Sequence, residues 1–300
     1  MHAVDILELN ARFAIPGQVS FRAVNGMAVV EIANAAATAS LAMQGAQLLH
    51  WTPRGMSPVI WLSPQARFAP GAAIRGGVPI CWPWFGPPAG GSGLPSHGFA
   101  RTSPWELLEV RPSPEATHLA FRLAPGAGAQ AQWPPTAVPE LHMTIGAQLE
   151  MELVTSNTGS KAVTIGQALH AYFAVGDVRQ VRIEGLDGCP YIDKVDGGRR
   201  GIQDGTLIIG RETDRIYLDA TADCIIDDPV LARRIRIGKH GSRSTVVWNP
   251  WADKAASMGD LGENNYLRMV CVEAANVADD LVTVAPDSSC RLGVVCSVEA

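Results

Sequence analysis

Two ionisable residues stand in apolar runs of this sequence and are separate candidates for acid–base chemistry. His170 lies within residues 167–175, and Glu273 follows the apolar run that begins at Met269. Burying an unpartnered carboxylate is costly, so Glu273 is expected either to have a partner or to sit at a cleft. A histidine beside a carboxylate can exchange protons near neutral pH. Taken alone, a histidine in a strand is more often a hydrogen-bonded core residue than a catalyst.

Two arginines mark a possible anion site in a loop-rich stretch, residues 64–104, which is dense in Gly, Pro and Trp. Arg75 precedes Gly76, and Arg101 follows Ala100, so each guanidinium has room to reach into a cleft. Arginine can grip a phosphate or carboxylate through two parallel hydrogen bonds, and a pair of arginines suggests a dianion. Surface ion pairs are the open alternative for both residues.

The aromatic segment between these arginines is a candidate sugar platform. Trp82, Trp84 and Phe85 lie in a loop too aromatic to be disordered, and long loops inside compact domains are usually functional. The rings could instead plug one open end of the fold. His97 is either a ligand or a loop residue bonded to the backbone. Asp214, in a charged stretch, is either a site residue or a solvated surface charge.

The elements that must position these residues are short strands. Apolar and polar residues alternate over residues 27–33, 39–51, 105–111, 117–123, 143–155, 162–173 and 234–239. Residues favouring tight turns separate many of them, at 157–160, 196–198 and 204–205. Such a pattern predicts an all-β antiparallel sandwich or barrel, with one short helix at residues 252–257. With neither a repeat nor a linker evident, we expect a single domain over residues 1–300.

Composition limits the possible partners. The chain has 300 residues, of which 47% are hydrophobic and 18% charged, with a formal net charge of -5. It lacks the excess of basic residues that nucleic-acid binders usually show, so neither nucleic acid nor an anionic membrane is an expected partner. The six cysteines are scattered without a C-x-x-C pair, which favours buried, reduced thiols. The start has no signal-peptide pattern, and no apolar run reaches the roughly 18 residues of a membrane span. We expect a cytoplasmic protein.

The sequence holds none of the common cofactor or hydrolase motifs. G-x-S-x-G, H-E-x-x-H and the phosphate-binding G-x-x-x-x-G-K-[ST] do not occur. The histidines other than His97 and His170 show no metal-ligand spacing with one another or with the cysteines. A reaction without metal or cofactor is therefore expected.

Taken together, these runs resemble the glucose-6-phosphate 1-epimerase family, the hexose-6-phosphate mutarotases of the aldose 1-epimerase superfamily. The matching stretches occur in family order and span about two-thirds of the chain. They are RGGVPICWPWFG (75–86), HGFAR (97–101), LHAYF (169–173), YIDK (191–194), ETDRIY (212–217), VWNPW (247–251) and CVE (271–273). No single stretch is decisive, but the ordered set is specific.

The resemblance implies a large antiparallel β-sandwich of the galactose mutarotase type, with a sugar site on one concave face and no metal or nucleotide. It implies an enzyme that interconverts the α and β anomers of a hexose 6-phosphate, with glucose 6-phosphate as the first candidate. We expect a monomer, although this does not follow from the resemblance. The expected general acid is His170 and the expected general base is Glu273. The expected substrate ligands are His97 and Asp214 at hydroxyls or the ring oxygen, and Arg75 and Arg101 at the phosphate.

Some features fall outside the resemblance, and other functions remain open. The Asp193-Lys194 pair is expected to stabilise the fold, the Ala- and Gly-rich residues 124–132 have no assignment, and the first 25 residues carry no motif. A mutarotase for unphosphorylated aldoses would need no arginine clamp. A non-catalytic sugar-binding module would need no acid–base pair, and a glycoside hydrolase would use Asp214 and Glu273 on a disaccharide.

Overall fold

A nine-stranded antiparallel sheet forms one half of the fold. The computed structural model describes residues 5–88, 93–126 and 133–299, so most of the unassigned segment 124–132 lies outside the described residues. In spatial order β16-β13-β18-β19-β23-β9-β8-β7-β6, the strands of this sheet are β6 (Trp105–Pro112), β7 (Thr117–Leu123), β8 (Ala137–Ile145), β9 (Leu149–Asn157), β13 (Arg182–Glu184), β16 (Leu207–Ile208), β18 (Cys224–Asp228), β19 (Arg233–His240) and β23 (Ser288–Glu299).

The candidate site is built on a second, eight-stranded antiparallel sheet. Its main path runs β15-β14-β17-β20-β21-β11-β5, and β12 pairs with β21 beside β11. The strands are β5 (Ile80–Cys81), β11 (Gln167–Leu169), β12 (Tyr172–Ala174), β14 (Pro190–Asp193), β15 (Arg199–Ile202), β17 (Thr213–Tyr217), β20 (Ser244–Asn249) and β21 (Met269–Asn276).

Smaller elements complete the described chain. A four-stranded sheet holds β1 (Val19–Val24), β2 (Met27–Ala33), β3 (Ala37–Ala42) and β4 (Gln47–Pro53) in sequence order. A two-stranded sheet pairs β10 (Val163–Ile165) with β22 (Val282–Val284). The helices are α1 (Ile6–Phe13) and α2 (Trp251–Ser257), with single 3-10 turns at Ala100–Thr102, Asn265–Arg268 and Ala278–Asp280. Neither α-helix in the described ranges has the length and apolar character needed to cross a bilayer.

The two large sheets share one apolar core, as a sandwich requires. Side chains alternate between the faces of a strand, so Val270 and Val272 of β21 join the same buried cluster as Leu141 and Leu153 of the nine-stranded sheet. The neighbouring residues Cys271 and Glu273 point to the opposite face of β21. All eight residues of β21 are buried, because both faces of this central strand are covered. The predicted all-β antiparallel sandwich is confirmed; the single domain stays a prediction.

Candidate active site

All six predicted site residues line one cavity of about 310 Å³, on the face of the eight-stranded sheet that points away from the sandwich core. This volume lies at the small end of the range seen for ligand pockets. The predicted residues are Arg75, His97, Arg101, His170, Asp214 and Glu273. The other lining residues are Phe85, Gly86, Pro87, Ser96, Tyr172, Lys194, Val246, Trp248 and Lys254.

Strand register places the two proposed catalytic residues opposite each other. Leu169 pairs with Ala274, and Tyr172 pairs with Cys271, so the intervening His170 faces Glu273 across the strand pair. The strand predicted over residues 162–173 is interrupted at His170, which frees this residue from the ladder. The His170 Nε2 atom lies 3.3 Å from the Glu273 Oε1 atom. Two residues 103 positions apart in sequence therefore form one pair.

Burial controls the protonation of this pair. The exposed fraction is 8% for His170 and 1% for Glu273. Burial raises the pKa of Glu273 well above its usual value, with a further rise from Asp214, while Lys194 and Arg101 oppose the shift. Burial also lowers the pKa of His170 well below its usual value. Burial therefore favours the uncharged form of each group, with one titratable proton shared by the pair.

The polar atoms of His170 and Glu273 have few hydrogen-bond partners within the described residues. Within the described residues, neither oxygen of Glu273 has an aligned hydrogen-bond donor, and Nδ1 of His170 has no partner. The imidazole stacks on the ring of Tyr172, with centroids 4.9 Å apart and 15° between the planes, and meets Trp248 edge-on at 6.3 Å. Ring packing therefore orients the imidazole, and the carboxylate keeps its hydrogen-bonding capacity for a ligand.

Asp214 lies one row away on the same face of the sheet. It pairs with Trp248 in the neighbouring strand, and Trp248 pairs with Cys271, two residues before Glu273. The side chain of Asp214 is 14% exposed, and its Oδ2 lies 3.2 Å from Nζ of Lys194. Asp214 is thus a cavity residue within the charged stretch and not a solvated surface charge.

The structure separates the Asp193-Lys194 pair. Asp193 is buried, bonds to the guanidinium of Arg215 at 3.1 Å and accepts from the backbone N–H groups of residues 195 and 196, as expected for a residue that stabilises the fold. Lys194 lies on the cavity wall instead. The sequence feature that could have indicated this position of Lys194 is the alternation along strand β14, which puts residues 192 and 194 on the same face.

His97 is held in place by a tight loop. Its Nδ1 accepts a hydrogen bond from the backbone N–H of Gly86 at 3.3 Å, so the neutral ring carries its proton on Nε2. Burial, followed by the positive charges of Arg101, Lys194 and Arg75, lowers the pKa of His97 to about 3. His97 is therefore a neutral hydrogen-bond donor at physiological pH.

Arg75 is fixed by two partners that sequence reasoning missed. Its Nε donates to Oδ1 of Asp260 at 3.2 Å, and its Nη1 donates to the hydroxyl of Tyr172 at 3.1 Å. Ser63 in turn donates to the backbone carbonyl of Asp260 at 2.6 Å. Asp260 lies 185 residues from Arg75 in a segment without a motif, so no sequence signal could have connected them. Arg75 is a preorganised donor whose charge is already balanced.

Arg101 differs from the other cations that line the cavity. Its Nη2 donates to the backbone carbonyl of Ser96 at 2.9 Å, and no carboxylate among the described residues forms an ion pair with it. By contrast, Lys194 pairs with Asp214, and Lys254 pairs with Glu212 at 2.8 Å. Arg101 therefore offers the cavity a positive charge that forms no ion pair within the described residues.

The aromatic segment divides between core and cavity. Trp82 is 1% exposed, donates to the Thr155 hydroxyl at 3.0 Å and packs edge-on against Phe99. Trp84 packs against the same phenylalanine. Only the third ring of the segment, Phe85, lines the cavity, and it lies edge-on to His97 with centroids 4.7 Å apart. Trp82 and Trp84 therefore pack against Phe99 and close the end of the fold. The prediction of an aromatic surface for a sugar stays open for Phe85 alone.

One group of side chains in the described ranges has donor atoms close enough to hold a metal ion. His170, Cys271 and Glu273 each offer one ligand atom, and these atoms lie within 4.8 Å of one another. Burial, together with the charge of Glu273, raises the pKa of the Cys271 thiol well above its usual value. The thiol of Cys271 is therefore protonated where it lies beside the acid–base pair.

Comparison with known proteins assigns the chain to a family. A family model described as aldose 1-epimerase matches residues 28–297, which is most of the chain. This chain belongs to the aldose 1-epimerase family. The match confirms the resemblance found in the sequence, and every residue of the cavity lies within the matched range.

Relatives of this aldose 1-epimerase family member carry a more specific name. A protein of Salmonella typhimurium (strain LT2) named "Putative glucose-6-phosphate 1-epimerase" is 39% identical over 272 residues, which cover 88% of this chain and 90% of the relative. A protein of Escherichia coli (strain K12) with the same name is 40% identical over 242 residues, covering 80% of each chain.

Solved structures agree on the fold. The crystal structure of a "putative mutarotase" from Salmonella typhimurium superimposes with a TM-score of 0.90 at 35% identity, covering 98% of each chain. A galactose 1-epimerase from Lactobacillus acidophilus superimposes with a TM-score of 0.72 at 13% identity, covering 94% of this chain and 98% of the other. The second likeness concerns the fold alone, and it confirms the mutarotase type of sandwich.

Proposed function

We propose that this enzyme interconverts the α and β anomers of a hexose 6-phosphate, with glucose 6-phosphate as the first candidate. One observation carries the proposal. The buried contact between His170 and Glu273, 3.3 Å long, faces the same cavity as Arg101, which has no carboxylate partner in the ranges that the structure describes. The names of the Salmonella typhimurium and Escherichia coli relatives support the same substrate.

The chemistry needs one acid and one base at the anomeric carbon. Opening a cyclic hemiacetal removes the proton from the O1 hydroxyl and delivers a proton to the ring oxygen O5. Both oxygens are bonded to C1, so a donor and an acceptor in contact with each other can serve both. In the reacting form the proton of the pair lies on His170, and Glu273 is the carboxylate that the charges of Lys194 and Arg101 favour. Glu273 then takes the O1 proton as His170 protonates O5. The aldehyde then rotates about the bond from C1 to C2, and ring closure on the other face reverses the roles. Each positioned group contributes about 10² to 10⁴ in rate.

The single proton held by the pair suits a reversible reaction. The proton count of the site is the same before and after ring opening, because one proton enters from O1 as one leaves to O5. The cations Lys194 and Arg101 favour the charged carboxylate of Glu273 and so oppose the effect of burial. Donation from His97 Nε2 and acceptance by Asp214 would orient the sugar hydroxyls or the ring oxygen.

The phosphate would anchor the far end of the substrate. Arg101 supplies the unbalanced charge, and Arg75 supplies further donors from a guanidinium held by Tyr172 and Asp260. Anchoring this end restrains the open-chain form during the rotation and keeps the aldehyde in the site. A small-molecule sugar phosphate is therefore the proposed partner. A monomeric, cytoplasmic protein without metal or cofactor stays a prediction.

Anomer exchange measured on glucose 6-phosphate tests the proposal. Polarimetry on freshly dissolved α anomer, or NMR exchange at equilibrium, gives the rate directly. We expect Glu273→Gln and His170→Asn each to lower the rate at least about a hundredfold, from the contribution of one positioned acid or base. The double variant should be little worse than the poorer single variant, because the two groups act as a unit.

Matched controls are available on the nine-stranded sheet. His142→Asn and Glu150→Gln change the same residue types outside the cavity and should leave exchange unaltered. Unchanged exchange in the Glu273 variant would remove the proposed base. Equal rates for glucose and glucose 6-phosphate at the same concentration would favour a mutarotase of unphosphorylated aldoses.

A further inference from the structure

We infer that Lys194 contacts the substrate and, together with Asp214, recognises one secondary hydroxyl of the sugar ring. This inference rests on the proposed function and adds to it a residue that determines which sugar is accepted. The pair lies on the cavity wall, on the same face of the sheet as Glu273.

The backbone and an aromatic ring hold the ammonium group towards the cavity. The N–H of Lys194 donates to the backbone carbonyl of Asp214 at 2.8 Å, which continues the pairing of strands β14 and β17 by one step. The Nζ atom lies 3.2 Å from Oδ2 of Asp214 and 5.8 Å from the centroid of the Phe85 ring. A cation at this distance from an aromatic face is attracted to it. The side chain is 36% exposed, so the ammonium remains open to a ligand.

The donor–acceptor character of the pair selects a hydroxyl. A hydroxyl group both donates and accepts, so one seated between these side chains accepts from the Lys194 ammonium and donates to the Asp214 carboxylate. A phosphate dianion offers only acceptors and would be repelled by a carboxylate 3.2 Å from the ammonium. Arg101, which has no acidic partner among the described residues, is the better phosphate ligand.

The position of the pair places this contact near the reacting carbon. Asp214 and Trp248 belong to the row of paired residues that ends at Cys271, directly beside the row that ends at Glu273. The positive charge of Lys194 also acts on the Glu273 carboxylate, against the effect of burial. The recognised hydroxyl therefore lies on a part of the ring close to the reacting carbon.

Deoxy substrates test the inference without depending on the phosphate. Exchange is measured for glucose 6-phosphate and for its 2-deoxy, 3-deoxy and 4-deoxy forms, with the unaltered enzyme and with Lys194→Met. In the unaltered enzyme, one of the three deletions should lower kcat/KM by about tenfold to a hundredfold, the usual effect of a hydrogen bond to a charged group. In Lys194→Met, glucose 6-phosphate itself should lose at least tenfold, and the same deletion should cost less than threefold.

Two further variants keep the result interpretable. Lys194→Arg retains a charged donor and should recover most of the sensitivity to the deleted hydroxyl, whereas the exposed Lys161→Met should match the unaltered enzyme. Thermal unfolding of each variant shows whether the fold is retained. If Lys194→Met does not fold, the arginine variant together with Lys194→Gln carries the same comparison.

The possible failures are distinct. If Lys194→Met loses the same factor on all four sugar phosphates, no hydroxyl depends on Lys194 and the inference is overturned. A loss on glucose 6-phosphate that is absent with unphosphorylated glucose would assign Lys194 to the phosphate and would also overturn it. The absence of any exchange by the unaltered enzyme would instead refute the proposed function.

Discussion

Replacing Arg101 by alanine should cost the enzyme its preference for a phosphorylated sugar. Arg101 lines the cavity, spends one N–H on the Ser96 carbonyl and has no carboxylate partner in the described part of the chain. Two charge-assisted hydrogen bonds to a phosphate are therefore open to its guanidinium. Each is worth about 1.5 kcal/mol at the low end of the usual range, which suits a partly exposed site. Together they give about 3 kcal/mol, or roughly a hundredfold in kcat/KM.

The assay compares glucose 6-phosphate with glucose in the same exchange measurement. Arg101→Ala should lower kcat/KM for the phosphorylated sugar by about a hundredfold and change the value for glucose less than about threefold. Arg101→Lys should fall between the two, because a point charge replaces a bidentate donor. Arg111→Ala, an exposed arginine on strand β6, is the matched control. Equal losses on both sugars would refute the reasoning and assign Arg101 to holding the loop at Ser96.

Two other predictions concern pH and stability. Exchange needs one proton on the pair, so the pH–rate profile should be bell-shaped. The acid limb, where the pair gains a second proton, should lie below pH 6.5, because burial lowers the pKa of His170. The alkaline limb should lie well above the ordinary pKa of a glutamate, because burial raises the pKa of Glu273, and an acid limb at or above pH 6.5 would contradict this reasoning. Gly98→Ala should lower the free energy of unfolding by about 3–5 kcal/mol in denaturant, because its φ is 72° and a Cβ atom would lie 1.9 Å from the carbonyl oxygen of Trp82. The control Gly188→Ala, with φ 74° and open space around it, should cost only about 1–2 kcal/mol.

Alternation located individual strands well where a strong turn separated them. The predicted strands at residues 27–33 and 117–123 coincide with β2 and β7, and the short predicted helix coincides with α2 to within one residue. The prediction that each longer alternating run forms a single strand was wrong. The run at 143–155 crosses from β8 to β9 at Gly146, because apolar residues flank this turn on both sides and keep the period. The isolated glycine was the available signal.

The helix α1 and the partners in the cavity lay beyond sequence reasoning for different reasons. Asp5 caps α1 by accepting from the N–H of Leu7 at 2.8 Å, a local signal that the alternating pattern of the rest obscured. The contact of Arg75 with Asp260 joins two loops, and that of Lys194 with Asp214 depends on β14 and β17 being neighbours. Residue types can suggest a ligand, but the tertiary fold decides which side chains meet.

Sequence reasoning named the two residues that the structure brings into contact, though not their geometry. His170 and Glu273 each stood out as polar groups in apolar surroundings, which is costly unless a partner or a cleft is present. Their meeting depends on the register of β21 against β11 and β12, which fixes position 170 opposite position 273. Register is set by the whole apolar pattern of a sheet and by its turns, so it cannot be read from either segment alone.

On the proposed mechanism, the placement of Glu273 on a strand buried on both sides makes catalysis sensitive to the register of that strand. A slip of one residue along β21 would exchange its two faces, moving the glutamate into the sandwich interior and presenting Val272 and Ala274 to the cavity. A chain trapped in that arrangement would be compact but inert. On that mechanism, the fraction of refolded protein that exchanges anomers is a lower bound on the fraction whose strand β21 is correctly aligned.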